Sequence, residues 1–222
     1  MLLAIDTSTA QMGLALYDGT QVVGETLWHS RRYHTVQLAP ALSELLARTE
    51  VSIASVEALG VALGPGSFTA LRVGLALAKG LAVARGLPLI GIPTLDVVAA
   101  SRAVCELPLA AVLQAGRGRI AVAWYRAEGE RWQAEGPAKL TTVEKLAEAI
   151  RKPTLVCGEL TAAERQRLAR KRKNVLLASP AESVRRPALL AELAWQRWKA
   201  GEVDEVAPLA PIYLHVGEEI PA

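Results

Sequence analysis

Residues 1–29 read MLLAIDTSTAQMGLALYDGTQVVGETLWH, and this stretch decides the fold because it predicts three consecutive β-strands. Three short runs of apolar, strand-compatible residues lie at 2–5, 12–17 and 21–28. The turn residues Asp18 and Gly19 separate the last two runs. The sequence therefore predicts a three-stranded meander whose first turn carries an acid and hydroxyl residues.

Beyond the meander, the apolar spacing alternates between helix and strand. A helix is predicted at 34–49, where Leu38, Leu42, Leu45 and Leu46 recur on one face. The next elements are a strand at 57–63, a helix at 67–85, a strand at 88–92 and a helix at 94–103. The resulting order is βββαβαβα.

The same order starts again after Pro108. The expected strands lie at 108–114, 119–127, 130–140, 154–157 and 174–178, and the expected helices at 142–151, 161–171 and 183–199. We interpret the chain as two α/β lobes with mixed sheets, 1–104 and 105–222. This layout is typical of the ribonuclease H-like lobe that occurs twice in actin-like ATPases (the ASKHA group). A tail from Gly201 either packs back over a lobe or stays loose.

The composition favours a cytoplasmic protein with no membrane contact. An apolar fraction of 51% is ample for a core, and the first residues lack the basic start of a signal peptide. No window reaches the ~18 apolar residues of a membrane span. The two cysteines form no Cys-x-x-Cys pair, and the net charge is +3, with a basic cluster between Arg165 and Lys173. Such a cluster is either a solvated helix end or a nucleic-acid surface.

The first turn of the meander is a candidate nucleotide site. In actin-like ATPases an acid and small hydroxyl residues at this turn meet the metal and the phosphates, and Asp6, Thr7 and Ser8 stand there. The alternative is a turn that satisfies its own backbone. The corresponding turn of the second lobe, Gln114–Arg119, offers no carboxylate for magnesium. We therefore interpret Asp6, Thr7 and Ser8 as a vestigial phosphate loop and expect no bound cofactor.

Other catalytic patterns are missing from the sequence. Lys79 is followed by Gly80 where a Walker loop requires Ser or Thr, and no G-x-S-x-G motif occurs. The three histidines, His29, His34 and His215, have no ligand partner at helical spacing. The sequence predicts neither a catalytic residue nor a metal site.

The predicted helix 67–85 is apolar nearly all round. Ala70, Gly74, Ala78 and Ala82 recur every fourth residue and form a stripe of small side chains flanked by leucines. Such a helix has more apolar surface than one sheet face can cover, so part of it should meet another helix. At its start, Ser67 is placed to cap the first turn.

These residues closely resemble the TsaB (YeaZ) family, the bacterial accessory subunit for making N6-threonylcarbamoyladenosine in tRNA. The resemblance rests on LAIDTST at 3–9, on His34 with Leu38 and Pro40, on GPGSFTALRVG at 64–74 and on AKGLA at 78–82. It covers residues 1 to about 103, whereas the second lobe matches mainly in layout. Two departures are Ala70 in place of a usual glycine and Gln114–Arg117 in place of an Asp-Ala-Arg-Arg-like stretch.

The resemblance implies a scaffold without chemistry of its own. The catalytic relative, TsaD, carries an H-x-x-x-H metal pair, and the matching positions here are Thr94 and Val98. TsaB-like subunits bind TsaD through the helices of the first lobe and can self-associate through the same helices. The implied partner interface consists of Leu38, Leu42, Leu45, Ala70, Leu71, Gly74, Leu75 and Ala78.

The same resemblance implies further partners. TsaD would transfer the threonylcarbamoyl group to the adenosine beside the anticodon, the TsaE ATPase would join the pair, and TsaC would supply the activated intermediate. The chain would meet tRNA indirectly, through the complex.

Three alternatives stay open at this point. The first is an actin-like small-molecule kinase or ATPase that uses Asp6 as a metal ligand. The second is a metalloprotease-like hydrolase, against which the lack of histidine pairs argues. The third is a module that binds tRNA directly through the cluster from Arg165 to Lys173.

Overall fold

The computed structural model describes residues 1–30, 33–171 and 173–214. The chain divides into two compact units. The first unit contains residues 1–97 and 185–212, and the second contains 98–184 with Tyr213 and Leu214.

The first unit is built on a five-stranded mixed sheet with the order β3-β2-β1-β4-β5. Its strands are β1 (Leu2–Asp6), β2 (Gln11–Tyr17), β3 (Val22–His29), β4 (Ala58–Gly64) and β5 (Leu89–Pro93). The strands β1, β2 and β3 are antiparallel neighbours, while β4 and β5 run parallel to β1. The predicted meander is confirmed.

The hairpin between β2 and β3 is closed by Asp18. The backbone N–H groups of Thr20 and Gln21 each donate to Asp18 Oδ1 at 2.8 Å. These hydrogen bonds stabilise the charged form and lower the pKa of the Asp18 carboxyl to about 2. The turn expected from the sequence is thus fixed by a side chain that satisfies its own backbone.

Six α-helices lie in the described part of the chain. They are α1 (His34–Arg48), α2 (Phe68–Arg85), α3 (Thr94–Ala100), α4 (Val143–Ala149), α5 (Ala162–Ala169) and α6 (Pro187–Lys199). In the first unit, α1 and α2 share one apolar core with alternate residues of β1, β2 and β4. A second core of that unit, on which α6 packs, contains Leu2 and Ala4 of β1. Because successive side chains of β1 point to opposite faces, the sheet is covered on both.

The second unit carries a six-stranded sheet with the order β11-β10-β6-β7-β8, and β9 also pairs with β7. The strands are β6 (Leu109–Gln114), β7 (Ile120–Glu128), β8 (Arg131–Ala134), β9 (Lys139–Thr141), β10 (Thr154–Gly158) and β11 (Val175–Leu177). The expected strand 130–140 is two short strands, because Gly136 adopts φ 156° just before Pro137. Val143, Leu146 and Leu168 of α4 and α5 lie in one core with residues of β6, β7 and β10.

The structure corrects the expectation of two consecutive lobes, 1–104 and 105–222. The division falls after Val97, and α6 belongs to the first unit rather than to the second. The helix α6 packs on the first sheet because small residues on both sides allow a close approach. Ala194 of α6 approaches β4 so closely that a Cβ on Gly60 would lie 2.7 Å from its methyl group. The second face of the first sheet is therefore shaped for α6.

The tail beyond α6 also returns to the first unit as far as residue 212. Asp204 N donates to Leu89 O at 2.9 Å, and Ile212 N donates to Leu63 O at 2.7 Å. Of the two expectations for this tail, packing over a lobe is confirmed up to that point. Residues 215–222, including His215, lie outside the described part. No helix among the described residues is long and apolar enough to cross a membrane.

Candidate functional site

The turn between β1 and β2 brings together the three residues of the candidate phosphate loop. Asp6, Thr7 and Ser8 are 1%, 1% and 0% exposed. Ser8 N donates to Asp6 Oδ1 at 2.8 Å, and Thr7 Oγ1 donates to Ala70 O at 2.7 Å. The loop is therefore closed onto its own backbone and onto the first turn of α2.

The second oxygen of Asp6 is held by a buried arginine. Arg185 Nε donates to Asp6 Oδ2 at 2.5 Å, and both side chains are almost fully buried. The guanidinium also donates through Nη2 to Thr9 Oγ1 at 3.2 Å and to Gln11 O at 2.9 Å. A fixed cation thus neutralises the carboxylate that an actin-like ATPase would turn toward magnesium. Both carboxylate oxygens of Asp6 are therefore engaged in hydrogen bonds within the protein.

Thr94 ties the loop to the glycine-rich block. Its hydroxyl lies 2.8 Å from Ser8 Oγ and accepts a hydrogen bond from Gly64 N at 2.9 Å. The block approaches the loop closely, since Ser67 N donates to Ser8 O at 2.7 Å. Thr94 is the first of the two positions that match the TsaD histidine pair, and here it is fully buried as a structural residue.

The second of these positions has no polar role. Val98 is a buried apolar residue that is 1% exposed.

The turn at Gln114–Arg119 is closed by a backbone hydrogen bond from Ala115 N to Arg119 O, and Gln114 Nε2 donates to Glu164 Oε2 at 2.6 Å. Within the described ranges, no group of three or more His, Cys, Asp or Glu side chains is arranged to hold a metal ion.

The residues of the expected partner interface lie in the interior of the first unit. All eight residues are buried, and the seven that carry a side chain are at most 7% exposed: Leu38, Leu42, Leu45, Ala70, Leu71, Gly74, Leu75 and Ala78. The stripe of small residues packs against the sheet and the loop, because β4 and β1 lie directly beneath α2. These eight residues belong to the interior of the first unit, and Leu38 alone among them also borders the surface between α1 and α2. The opposite faces of both helices are exposed to solvent.

Gly74 explains why the stripe faces inward. A Cβ at Gly74 would lie 2.3 Å from Thr7 Oγ1, whereas a Cβ at Gly80 would meet nothing within 4 Å. We expect Gly74→Ala to lower the free energy of unfolding by about 1–3 kcal/mol, because the threonine cannot retreat from a buried site. Gly80→Ala should raise it by about 0.5–1 kcal/mol, because alanine favours the helix.

Chemical denaturation of both glycine variants measures this difference directly. Similar unfolding energies for the two would contradict the inward orientation of the stripe.

The outward face of α2 carries a second set of small and apolar residues. Phe68, Ala76, Gly80, Val83 and Ala84 are exposed. Phe68 is 53% exposed and Val83 is 75% exposed. The sequence pattern does not tell which of the two faces is exposed, because both faces of the helix show the same four-residue period.

An open groove of about 460 Å³ lies between the outward faces of α1 and α2. It is lined by Thr35, Leu38, Ala39, Phe68, Thr69, Arg72, Val73, Ala76 and Leu77. Arg72 Cζ lies 3.7 Å from the centre of the Phe68 ring, a cation–π contact that holds the aromatic side chain at the end of the groove. The groove is apolar and rimmed by one arginine, which suits a helix of another protein.

The structure differs from the sequence analysis at one residue and adds another that the sequence analysis missed. Ser67 precedes α2 but makes no side-chain capping bond. Arg185 was missed in the sequence, because it lies 179 positions from Asp6 and precedes an ordinary helix start at Pro187.

The basic cluster from Arg165 to Lys173 lies on α5 and the turn after it, and Arg172 is outside the described residues.

Comparison with protein families places these features in context. A family model described as "TsaD: tRNA N6-adenosine threonylcarbamoyltransferase" matches residues 25–195. The chain is 28% identical to the tRNA threonylcarbamoyladenosine biosynthesis protein TsaB of Bacillus subtilis, over 98% of this chain and 95% of the relative. It is 35% identical to the Escherichia coli protein of that name, over 70% of this chain and 64% of the relative.

Solved structures share the fold. YeaZ from Pseudomonas aeruginosa superposes with a TM-score of 0.80 at 24% identity, covering 96% of this chain and 99% of that one. A ROK hexokinase from Thermus thermophilus superposes with a TM-score of 0.51 at 12% identity, covering 90% and 99%. The predicted actin-like α/β fold is confirmed.

Proposed function

Since the chain belongs to the TsaB (YeaZ) family, we propose that it is a non-catalytic scaffold for a TsaD threonylcarbamoyltransferase. In this role it binds the enzyme and supports formation of N6-threonylcarbamoyladenosine next to the anticodon of tRNA. The related proteins are named for tRNA threonylcarbamoyladenosine biosynthesis, and the scaffold role is our extension of that name.

The observation that carries the proposal is the pairing of Asp6 with Arg185. Both carboxylate oxygens of Asp6 accept hydrogen bonds within the protein, one from Ser8 N and one from the guanidinium. A magnesium-nucleotide would have to displace a buried, multiply bonded arginine. This favours a partner-binding role over the small-molecule kinase or ATPase that would use Asp6.

A metalloprotease-like hydrolase is also disfavoured. The residues at the positions of the TsaD histidine pair are Thr94, which holds the loop, and Val98, which is buried. Neither side chain can provide an imidazole ligand.

We place the TsaD interface at the groove between the outward faces of α1 and α2. The groove between them is apolar, with Phe68 as an exposed aromatic anchor and with small side chains at Ala39 and Ala76 that allow another helix to come close. The same face can pair with a second copy of the chain, which makes a homodimer an alternative assembly. Contact with tRNA through the complex, association with the TsaE ATPase and a cytoplasmic location complete the proposal.

Ala76→Arg tests the interface because it fills the groove with a charged side chain on an exposed helix position. We expect affinity for TsaD to fall at least about 30-fold, since a central interface position contributes about 2 kcal/mol or more. The matched control is Ala47→Arg, which makes the same change on an exposed position of α1 outside the groove. It should bind TsaD like the wild type.

The experiment combines a titration of TsaD binding with the tRNA modification assay and a thermal melt. Loss of binding and of modification by a folded Ala76→Arg variant supports the scaffold. If Ala76→Arg binds and works like Ala47→Arg, the groove is not the interface. Magnesium-dependent ATP turnover by the lone wild-type chain, abolished by Asp6→Ala, would replace the scaffold by the enzyme.

A further inference from the structure

Five exposed cations gather at one edge of the sheet of the second unit. They are Arg151, Lys152, Arg170, Lys171 and Lys173, and we call this set the basic edge. Arg151 and Lys152 lie between α4 and β10, and the other three lie between α5 and β11. Because β10 and β11 are parallel and adjacent, the two connections that precede them lie at the same end of the sheet.

Backbone hydrogen bonds hold the two connections side by side. Thr154 N donates to Asn174 O at 2.8 Å, and Thr154 Oγ1 donates to Lys152 O at 2.9 Å. Asn174 N and Val175 N both donate to Lys171 O at 3.0 Å. Neighbouring strands are about 4.8 Å apart, so cations from the two connections can reach successive groups of one polyanion.

The local charge is strongly unbalanced. Residues 151–173 contain eight Lys or Arg and two Glu, a net charge of +6, whereas the rest of the chain has 17 Lys or Arg and 20 Asp or Glu, a net charge of −3. Arg167 is paired with Glu144, and Arg165 donates to Ala178 O. Within the described residues, no such bond or ion pair is formed by the side chains of the basic edge.

The favourable interaction of cations with the carbonyl groups at helix C-termini explains only part of this positive charge. Cations near the C-termini of α4 and α5 stabilise the last carbonyl groups, but the effect is confined to the last turn. The basic edge continues past that turn to Lys173, next to β11. The five members are lysines and arginines, which are the side chains that commonly contact phosphate groups of nucleic acids.

We propose that the basic edge binds the phosphate backbone of the tRNA substrate directly. The inference rests on the proposed function, which places the chain in an assembly that acts on tRNA, and it replaces the indirect contact expected from the family resemblance. The contact is independent of base sequence, positions the RNA and depends on salt concentration.

The test compares tRNA affinities of the lone chain and of its complex with TsaD over a series of salt concentrations. Lys171→Glu with Lys173→Glu should lower tRNA affinity at least about tenfold and reduce the salt slope by about 1.5, because two phosphate contacts are lost. The matched control, Arg131→Glu with Lys139→Glu, makes the same charge change at exposed positions of β8 and β9. It should leave the salt slope unchanged.

Two further variants separate charge from folding. Lys171→Arg with Lys173→Arg keeps the charges and should retain tRNA binding. Lys171→Gln with Lys173→Gln removes the charges without reversing them, so it should lower the logarithm of the tRNA affinity by about half as much as the double Glu variant does. Equal losses for the test and control pairs, or unchanged tRNA affinity in the test pair, would overturn the proposal. Loss of TsaD binding with unchanged tRNA affinity would also overturn it, because the basic edge would then serve a protein.

The outcome is distinct from that of the scaffold proposal. Ala76→Arg is expected to weaken TsaD binding at least about 30-fold while the lone variant chain keeps its affinity for tRNA. If the wild-type chain does not bind TsaD, the scaffold fails, and the titration of the lone chain with tRNA still decides the role of the basic edge.

Discussion

Asp6→Ala is expected to lower the free energy of unfolding by about 3–5 kcal/mol, because it leaves the guanidinium of Arg185 buried without its counter-ion. Arg185 is 1% exposed and cannot reach solvent while α6 stays on the sheet. The variant also removes the acceptor that closes the loop at Ser8 N. Urea denaturation followed by circular dichroism measures the change.

The control for this prediction is an ion pair that solvent surrounds. Glu44 and Arg48 form an i,i+4 pair on α1 at 2.5 Å, with side chains 61% and 75% exposed. Glu44→Ala should change stability by no more than about 0.5 kcal/mol. Asp6→Ala combined with Arg185→Met should be more stable than Asp6→Ala alone, since no buried charge remains. A cost below about 1 kcal/mol for Asp6→Ala would contradict the buried pair.

Gly66→Ala is the second large effect that we expect, at about 2–4 kcal/mol of destabilisation. A Cβ at Gly66 would lie 2.2 Å from Ser8 O and 3.0 Å from Ser8 C, and both atoms belong to the backbone of the loop. The backbone must move, at an overpacking cost of about 1–3 kcal/mol. The hydrogen bond from Ser67 N to Ser8 O would be lost as well, at about 1 kcal/mol.

The neighbouring serine provides the comparison. Ser67 is exposed and makes no capping bond, so Ser67→Ala should stay within about 0.5 kcal/mol of the wild type, below the ~1 kcal/mol usual for a lost cap. Thermal melts of the two variants side by side are sufficient. A Gly66→Ala protein as stable as Ser67→Ala would show that the glycine block does not press on the loop.

The element order of the chain was predictable because each helix and strand has a local signal in the spacing of its apolar residues. The short apolar runs of β1 to β3 and the apolar spacing of α1 predicted boundaries within a few residues of the observed ones. The actin-like class then followed from the order βββαβαβα, since few architectures accommodate it. The turn at Asp18 was equally local, because the side chain accepts hydrogen bonds from residues two and three positions further along the chain.

The candidate site was less predictable because its decisive contacts are distant in sequence. Nothing in the neighbourhood of Arg185 distinguishes it from the exposed Arg186 beside it. The inner and outer stripes of α2 have the same period, and only the position of the sheet decides which one is buried. Gly74 lies on the inner stripe because Thr7 leaves no room for a side chain there.

The return of α6 to the first sheet has a consequence for biosynthesis. The strands β1 to β5 are synthesised long before α6 (Pro187–Lys199). During this interval the nascent chain lacks the helix that buries one face of the sheet, which includes Leu2, Ala4, Ala58 and Ile90. Residues 98–184 of the second unit emerge in this interval. The first unit is consequently completed only after residues 98–184 have been synthesised, and a product that stops before residue 187 would present an uncovered apolar sheet to chaperones and proteases.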